Sequence, residues 1–163
     1  MSNIVLIGMP GCGKSTVGVI LAKTLGIGFV DTDLIIQQRE NRLLQNIIDT
    51  DGIDYFLECE SNAIQSIECE NSVIATGGSA VYREDAIEHL KKNGKIIYLD
   101  VPLDEIKKRL NNINTRGIAS KKNKSIEDIY NERVALYNKY ADIIIKTYGD
   151  SVEQTVEKIC KFF

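Results

Sequence analysis

Histidine, tryptophan and proline are scarce in this 163-residue chain, which contains one His, no Trp and two Pro. The single histidine, His89, and the four cysteines show no C-x-x-C pair and no spacing typical of a zinc site. A Cys/His zinc centre is therefore excluded. We expect the cysteines to be free thiols, as in a reducing compartment; they are Cys12, Cys59, Cys69 and Cys160.

Long apolar runs and long blocks of like charge are also missing. No apolar run approaches the roughly 18 residues that indicate a transmembrane helix. No basic segment precedes the first apolar run, so we expect no signal peptide and a cytoplasmic location. With a net charge of −3 and no basic arm, we expect neither a membrane nor a nucleic acid as partner. The length predicts one domain, residues 1–163.

The most informative segment is residues 8–15, which match the phosphate-binding P-loop pattern G-x-x-x-x-G-K-[ST]. Its glycines let backbone N–H groups face phosphate oxygens. Lys14 is placed to reach the β- and γ-phosphates of a nucleoside triphosphate, and Ser15 offers its hydroxyl to Mg²⁺. The motif predicts a nucleoside triphosphate with Mg²⁺, bound by the residues Gly11, Cys12, Gly13, Lys14, Ser15 and Thr16.

Strand and helix patterns alternate along the chain. Short apolar runs predict five strands, at Ile4–Ile7, Gly28–Val30, Ser72–Thr76, Lys95–Leu99 and Asp142–Lys146. Apolar residues at helical spacing predict helices over 15–25, 34–48, 51–69, 83–93, 103–111, 125–141 and 151–161. This order predicts a three-layer α/β/α fold with a five-stranded parallel sheet, whose ligands gather at the carboxyl ends of the strands.

Residues 111–124 form the least regular stretch of the chain, NNINTRGIASKKNK. A polar, basic loop of this length between two helices predicts a mobile lid over the phosphates. An exposed surface loop without a role is the alternative. Arginines inside and beside this stretch are candidates for neutralising charge during phosphoryl transfer or for binding an anionic substrate, although each alone would also suit a solvated helix; they are Arg109, Arg116 and Arg133.

Two further segments follow predicted strands and should lie near the P-loop. Asp31 and Asp33 come directly after the second strand. One could hold Mg²⁺ through water and the other could orient or deprotonate an attacking hydroxyl, while a helix N-cap at Asp33 is a compatible alternative. Gly77 and Gly78 follow the third strand and allow close approach of a ligand to the backbone, or simply make a turn.

The chain resembles the shikimate kinase family over nearly its whole length, through Gly8–Ser15, Asp31-Thr32-Asp33, Thr76-Gly77-Gly78, Arg109 with Arg116, and Arg133–Tyr137. The resemblance implies the nucleoside monophosphate kinase-like fold, with a substrate-binding segment at about residues 32–60 and the lid at about 111–124. It also implies ATP-dependent phosphorylation of the 3-hydroxyl of shikimate, a step of aromatic amino acid biosynthesis.

The resemblance implies individual roles as well. Lys14 and Ser15 match the phosphate and Mg²⁺ ligands, and Asp31 matches an aspartate near the metal. Asp33 matches the residue that contacts the substrate hydroxyl and serves as candidate base. The remaining matches are Gly77 and Gly78 in the substrate pocket, Arg109 on adenine, Arg116 of the lid on phosphate, and Arg133 on the shikimate carboxylate. Asp33, Lys14 and Arg116 form the expected catalytic set.

Departures from the family pattern cluster on the acceptor side. Leu57 stands where a second carboxylate-binding arginine is usual, and Ile53 where a glutamate is usual. Ser79 replaces the third glycine of a run, Gln37 a glutamate, and Gly117 a proline. Loss of one charge-assisted hydrogen bond is worth roughly 1.5–3 kcal/mol. We therefore expect weaker acceptor binding, unless another basic side chain replaces the missing one; the candidates are Arg39, Arg42 and Arg83.

Two alternatives remain open from the sequence. The altered acceptor side is also compatible with a kinase of another small hydroxylated metabolite, such as a gluconate-like acid. A nucleotide-binding protein with weak catalysis is the second alternative, although it would need neither Asp33 nor a lid cation. The scattered surface charge and the resemblance predict a monomer.

Overall fold

The computed structural model describes residues 1–111, 118 and 124–163, and these residues contain a five-stranded sheet covered by α-helices. The strands are β1 (Asn3–Ile7), β2 (Gly28–Asp31), β3 (Ser72–Ala75), β4 (Gly94–Asp100) and β5 (Ile143–Lys146). All paired strands are parallel, in the order β2-β3-β1-β4-β5. The parallel pairing confirms the predicted five-stranded parallel sheet. Each strand also begins and ends within one residue of its predicted bounds.

The helices cover both faces of the sheet. In chain order they are α1 (Lys14–Leu25), α2 (Thr32–Glu40), α3 (Leu44–Asp51), α4 (Ile53–Gln65), α5 (Glu84–Asn93), α6 (Leu103–Asn111), α7 (Ile126–Tyr140) and α8 (Val152–Cys160), with a 3₁₀ turn at Ala80–Tyr82. α1 packs against α8, and α4 against α5. Right-handed crossovers place these two pairs on opposite faces, which confirms the predicted three layers. Within the described ranges, no helix has the length and apolar character needed to cross a membrane.

The prediction of one helix over residues 34–48 is wrong. Asn41 adopts the left-handed conformation with a φ of 53°, and its N–H donates to the carbonyl of Gln37, so α2 ends there. α3 then begins at Leu44. Helical spacing continued across the break because Ile36 of α2 and Ile47 of α3 pack into one apolar cluster.

Two apolar clusters hold the sheet and the segment beside it. The larger cluster surrounds β1, whose residues Ile4–Ile7 have no exposed surface. A smaller one consists of Ile36, Ile47, Phe56 and Ala63, from α2, α3 and α4. We call it the second cluster. It holds together α2, α3 and α4, which make up the predicted substrate-binding segment.

Candidate active site

The P-loop connects β1 to α1 and curls around the amino end of the helix. Gly8, Gly11 and Gly13 have positive φ angles of 149°, 80° and 91°, which glycine adopts without strain. α1 begins at Lys14, so its partially positive amino end points into the loop. The Lys14 ammonium donates to the carbonyls of Gly8 at 2.7 Å and Met9 at 2.8 Å. The loop therefore presents a cation and a helix end to the same small volume.

Ser15 and Asp31, the expected metal-side residues, are brought together by the turn from β2 into α2. The Ser15 hydroxyl donates to Oδ2 of Asp31 at 2.9 Å, and Oδ1 of Asp31 accepts the backbone N–H of Asp33, also at 2.9 Å. Asp31 is thus the N-cap of α2, and the cap expected as an alternative at Asp33 is wrong. Asp33 lies instead in the first turn of the helix.

The oxygen donors of Ser15 and Asp31 fit Mg²⁺. Among the described residues, no group of three or more His, Cys, Asp or Glu side chains forms a metal cage. Mg²⁺ suits such a sparse set, because it keeps several waters and takes other ligands from substrate phosphates. These two side chains would hold the ion on the side of the P-loop that faces β2.

Asp33 and Glu60 converge on Gly77, at the end of β3. A Cβ built on Gly77 would lie 2.7 Å from Oε2 of Glu60 and 2.9 Å from Oδ1 of Asp33. Only a residue without a side chain fits between these carboxyl groups. This close approach explains why glycine follows the strand. The alternative of a turn also holds, since the N–H of Ala80 donates to the Gly77 carbonyl at 3.2 Å.

Arg133 is the more deeply buried of the two cations that line the site in the described part of the chain, with 1% of its surface exposed against 7% for Lys14. Its Nε donates to the hydroxyl of Tyr82 at 3.1 Å, and its Cζ lies 5.2 Å from the centre of the same ring. A Cβ built on Gly78 would lie 2.9 Å from Nη1 of Arg133. Tyr137, one helical turn away, donates to the Gly78 carbonyl at 2.6 Å. These contacts hold the guanidinium in one place beside the glycines.

One cavity of about 370 Å³ joins these groups, and we call it the acceptor cavity. Its walls combine the P-loop, the start of α2, the break before α3, α4, the end of β3 and α7. The charged side chains that line it are Lys14, Asp31, Asp33, Glu60 and Arg133. Phe56 and Leu44 supply an apolar wall. A small polar molecule with an acidic group would thus meet cations, a candidate base and a hydrophobic face together.

The positions that depart from the family pattern lie in two different places. Leu57 and Ile53 do not line the acceptor cavity but pack against the second cluster. Ser79, in contrast, lines the cavity and donates to Oε1 of Glu60 at 2.7 Å. Gln37 also lines the cavity. Leu57, at the position where the family pattern carries an arginine, thus lies outside the cavity wall.

None of the three candidate replacement arginines lines the acceptor cavity. Arg39 is exposed and donates to the carbonyl of Asn62 at 3.4 Å. Arg42 pairs with Asp51, and Arg83 is exposed at the start of α5. Among the described residues that line the cavity, the cationic side chains are Lys14 and Arg133.

Glu60 lines the acceptor cavity; it matches the glutamate of the family's substrate segment but is not among the predicted site residues. It lies four residues after Phe56, so both occupy one face of α4, and that spacing was the available signal. Burial raises the pKa of Glu60 to about 8. The hydrogen bond from Ser79 opposes the rise, and the nearby charge of Asp33 adds to it.

A second cavity of about 390 Å³ lies on the other side of the P-loop. It is lined by Gly11, Cys12, Gly13, Thr16, Val17, Arg109, Thr147, Asp150, Val152 and Thr155. Arg109 donates to the Gly11 carbonyl at 3.1 Å and pairs with Glu105, one turn earlier on α6. All expected nucleotide-binding residues outside the lid thus meet around the P-loop. Arg116 and most of the predicted lid lie outside the described residues.

Comparison with known proteins finds similar sequences and similar folds among kinases. The profile of the shikimate kinase family matches residues 10–163. A shikimate kinase from Clostridium botulinum (strain Alaska E43 / Type E3) is 35% identical over 161 residues, which cover 98% of this chain and 96% of that protein.

Solved structures agree with the sequence matches. A shikimate kinase from Acinetobacter baumannii, in complex with shikimate, is similar with a TM-score of 0.87 and 28% identity, covering 99% of this chain and 92% of that one. A gluconokinase from Sinorhizobium meliloti 1021 is similar with a TM-score of 0.56 and 15% identity, covering 96% and 88%. At that identity the second likeness shows the fold alone.

Proposed function

The chain belongs to the shikimate kinase family, and from that premise we propose that it transfers the γ-phosphoryl group of ATP to the 3-hydroxyl of shikimate. The observation that carries this proposal is the acceptor cavity, where Asp33 and Arg133 face the P-loop lysine, Lys14. A protein that only binds a nucleotide would need neither Asp33 nor Arg133. Shikimate offers a hydroxyl for the aspartate and a carboxylate for the arginine.

The P-loop side binds the nucleotide. Lys14, the loop amides and the amino end of α1 hold the β- and γ-phosphates and stabilise the charge that develops as the phosphoryl group moves. Ser15 and Asp31 would hold Mg²⁺, which when bound neutralises the phosphate oxygens. Arg109 faces the base-side cavity and is proposed to pack on adenine. Arg116 is proposed as the lid cation on the phosphates.

Asp33 is proposed as the base that orients and deprotonates the attacking hydroxyl. It stands in the first turn of α2, and the close approach of Gly77 fixes its carboxyl group at the cavity wall. The hydrogen bond that caps α2 uses its backbone N–H and not its side chain. The carboxylate can therefore serve the acceptor without weakening the helix start.

Arg133 is proposed to bind the carboxylate of shikimate. A buried guanidinium that is fixed by Tyr82 presents donors in a planar fork, the geometry that matches a carboxylate. Gly77 and Gly78 let the acceptor approach the backbone beside it. Phe56 supplies the apolar surface against which the ring of shikimate would pack.

We further propose that the chain works as one domain and as a monomer in the cytoplasm. The net charge of −3, without long blocks of like sign, suits a monomer. The four cysteines are free, which suits a reducing compartment. Residues 32–60 would form the substrate-binding segment and 111–124 the lid.

Acceptor-dependent ADP release tests the proposed function. The purified protein, with ATP and Mg²⁺, is offered shikimate, gluconate and a panel of small hydroxylated acids and sugars. We expect turnover with shikimate and no turnover with gluconate. Turnover of another compound with none on shikimate would overturn the proposal, and ATP binding without acceptor-stimulated turnover would favour a nucleotide-binding role.

A further inference from the structure

Glu60 is a fully buried carboxyl group in the wall of the acceptor cavity, with 1% of its surface exposed. Its two oxygens differ. Oε1 accepts the hydrogen bond of Ser79 at 2.7 Å, whereas Oε2 has no hydrogen-bond partner within the described ranges. Buried polar atoms are nearly always paired in folded proteins, so a lone one in a binding cavity points to a ligand.

Charged groups from three elements surround Glu60. Asp33 of α2 raises the pKa of Glu60, and Arg133 of α7 and Lys14 of α1 lower it, but burial is the largest effect and the pKa rises to about 8. At neutral pH the group is therefore a carboxylic acid. With Oε1 accepting from Ser79, the acid proton belongs on Oε2.

The other helices packed on α4 direct their charges elsewhere. Asp85 of α5 accepts a hydrogen bond from Ser61 at 3.3 Å, and Asp51 of α3 pairs with Arg42. Tyr82, in the 3₁₀ turn, is bound to Arg133.

The cavity also lacks a second guanidinium in its described wall. Leu57, at the position where the family pattern carries one, is three residues before Glu60 and turns into the second cluster. An acceptor carboxylate bound by Arg133 alone would keep part of its hydrogen-bonding capacity unused. A neutral acid can donate to that carboxylate, whereas an ionised one would repel it.

We propose that Glu60 is a specificity-determining residue that meets the carboxylate of the acceptor as a neutral carboxylic acid, oriented by Ser79, and supplies the donor that Leu57 does not. This inference rests on the proposed function, because it assumes an acceptor with a carboxylate. Arg133 carries the charge of the interaction, and Oε2 of Glu60 adds a hydrogen bond. Acceptor binding then requires the proton on Glu60.

The proposal predicts a pH dependence of acceptor affinity. Above the pKa of Glu60 only the protonated fraction of the enzyme binds the acceptor, so KM should rise by about tenfold per pH unit. Below it KM should be flat, since the acceptor's own carboxylate stays ionised from about pH 6 upward.

The experiment measures KM and kcat for shikimate between about pH 6 and about pH 9.5, at saturating ATP and Mg²⁺. For the wild type we expect KM to be flat and then to rise above about pH 8. Glu60→Gln keeps a donor that does not titrate, so its KM should not rise in this range. Ser79→Ala removes a hydrogen bond that favours the ionised form, so the rise should move to higher pH.

Glu58→Gln is the matched control, because Glu58 lies exposed on the same helix outside the acceptor cavity. It should reproduce the wild-type profile. A wild-type KM without an alkaline rise, or an equal rise in Glu60→Gln, would overturn the inference while shikimate turnover keeps the proposed function intact. No shikimate turnover at any pH would overturn the proposed function, and the inference with it. If Glu60→Gln does not fold, the dependence of KM on pH in the wild type and in Ser79→Ala still tests the inference.

Discussion

The hydroxyl of Ser15 and the carboxylate of Asp31 are joined by a hydrogen bond of 2.9 Å, although they lie at the starts of two different helices. The same aspartate caps α2 through its other oxygen. One residue thus orients the proposed metal ligand and starts the helix that carries the proposed base. A substitution that keeps the helix cap but removes the negative charge of Asp31 separates these two roles.

Asp31→Asn should weaken the response to Mg²⁺ and leave the fold intact. Asparagine caps helices as well as aspartate does, so the melting temperature should hardly change. The lost negative charge should raise the Mg²⁺ concentration for half-maximal activity about 10- to 100-fold. A magnesium titration of ADP release measures this. Asp54→Asn, an exposed aspartate outside the cavity, is the control, and an unchanged magnesium dependence of Asp31→Asn would remove Asp31 from the metal side.

Asp33→Asn should abolish most turnover while ATP still binds. The amide cannot take a proton from the acceptor hydroxyl, and removal of a general base lowers kcat by about 10²- to 10⁴-fold. The helix cap survives because Asp33 contributes only its backbone N–H to it. Calorimetry measures ATP binding and ADP release measures kcat. A kcat close to the wild-type value would exclude Asp33 as the base.

Gly77→Ala should damage the site more than the fold. The new methyl group would lie under 3 Å from both Glu60 and Asp33, so these carboxyl groups must move apart. Displacement of a catalytic group by about 1 Å can lower activity about 100-fold, and we expect that loss in kcat/KM for shikimate.

Gly26→Ala is the control for backbone strain. A Cβ there meets no atom within 4 Å, but Gly26 ends α1 with a φ of 68°. Because a residue with a Cβ is strained at this φ, Gly26→Ala should lower the free energy of unfolding by about 1 kcal/mol. Its kcat/KM for shikimate should not change. Equal kinetic losses in the two variants would mean that Gly77 acts through stability alone.

Leu57→Arg should lower KM for shikimate and remove its alkaline rise. An arginine three residues before Glu60 on α4 can reach its carboxyl group, and a guanidinium there favours the ionised form. The new side chain would also supply a second guanidinium, which the described wall of the acceptor cavity lacks. Because Leu57 packs against the second cluster, some stability should be lost, which thermal melting measures. Leu57→Met, which keeps the apolar contact, should match the wild type, and a KM no lower in Leu57→Arg would show that the arginine does not reach the site.

Local patterns were sufficient to predict the sheet and the nucleotide side. Each strand is a short apolar run bounded by polar residues, so β2 was expected at Gly28–Val30 and is found at Gly28–Asp31. The P-loop is contiguous, so residues 8–15 predict their own geometry, with positive φ angles at the glycines and α1 beginning at Lys14. The helix break at Asn41 was missed because its signal is a single left-handed residue inside an apolar pattern that continues across it.

The sequence by itself determined the α/β order, the P-loop and the candidate aspartates, because each depends on neighbours in the chain. The tertiary structure alone decided which groups meet in the acceptor cavity. Ser79 reaches Glu60, and Asp33 and Glu60 both approach Gly77, because β2 and β3 end at the same edge of the sheet and α4 packs against α2. Burial raises the pKa of Glu60, and no local pattern reveals that burial. Leu57 turns away from the cavity because the second cluster offers it an apolar contact.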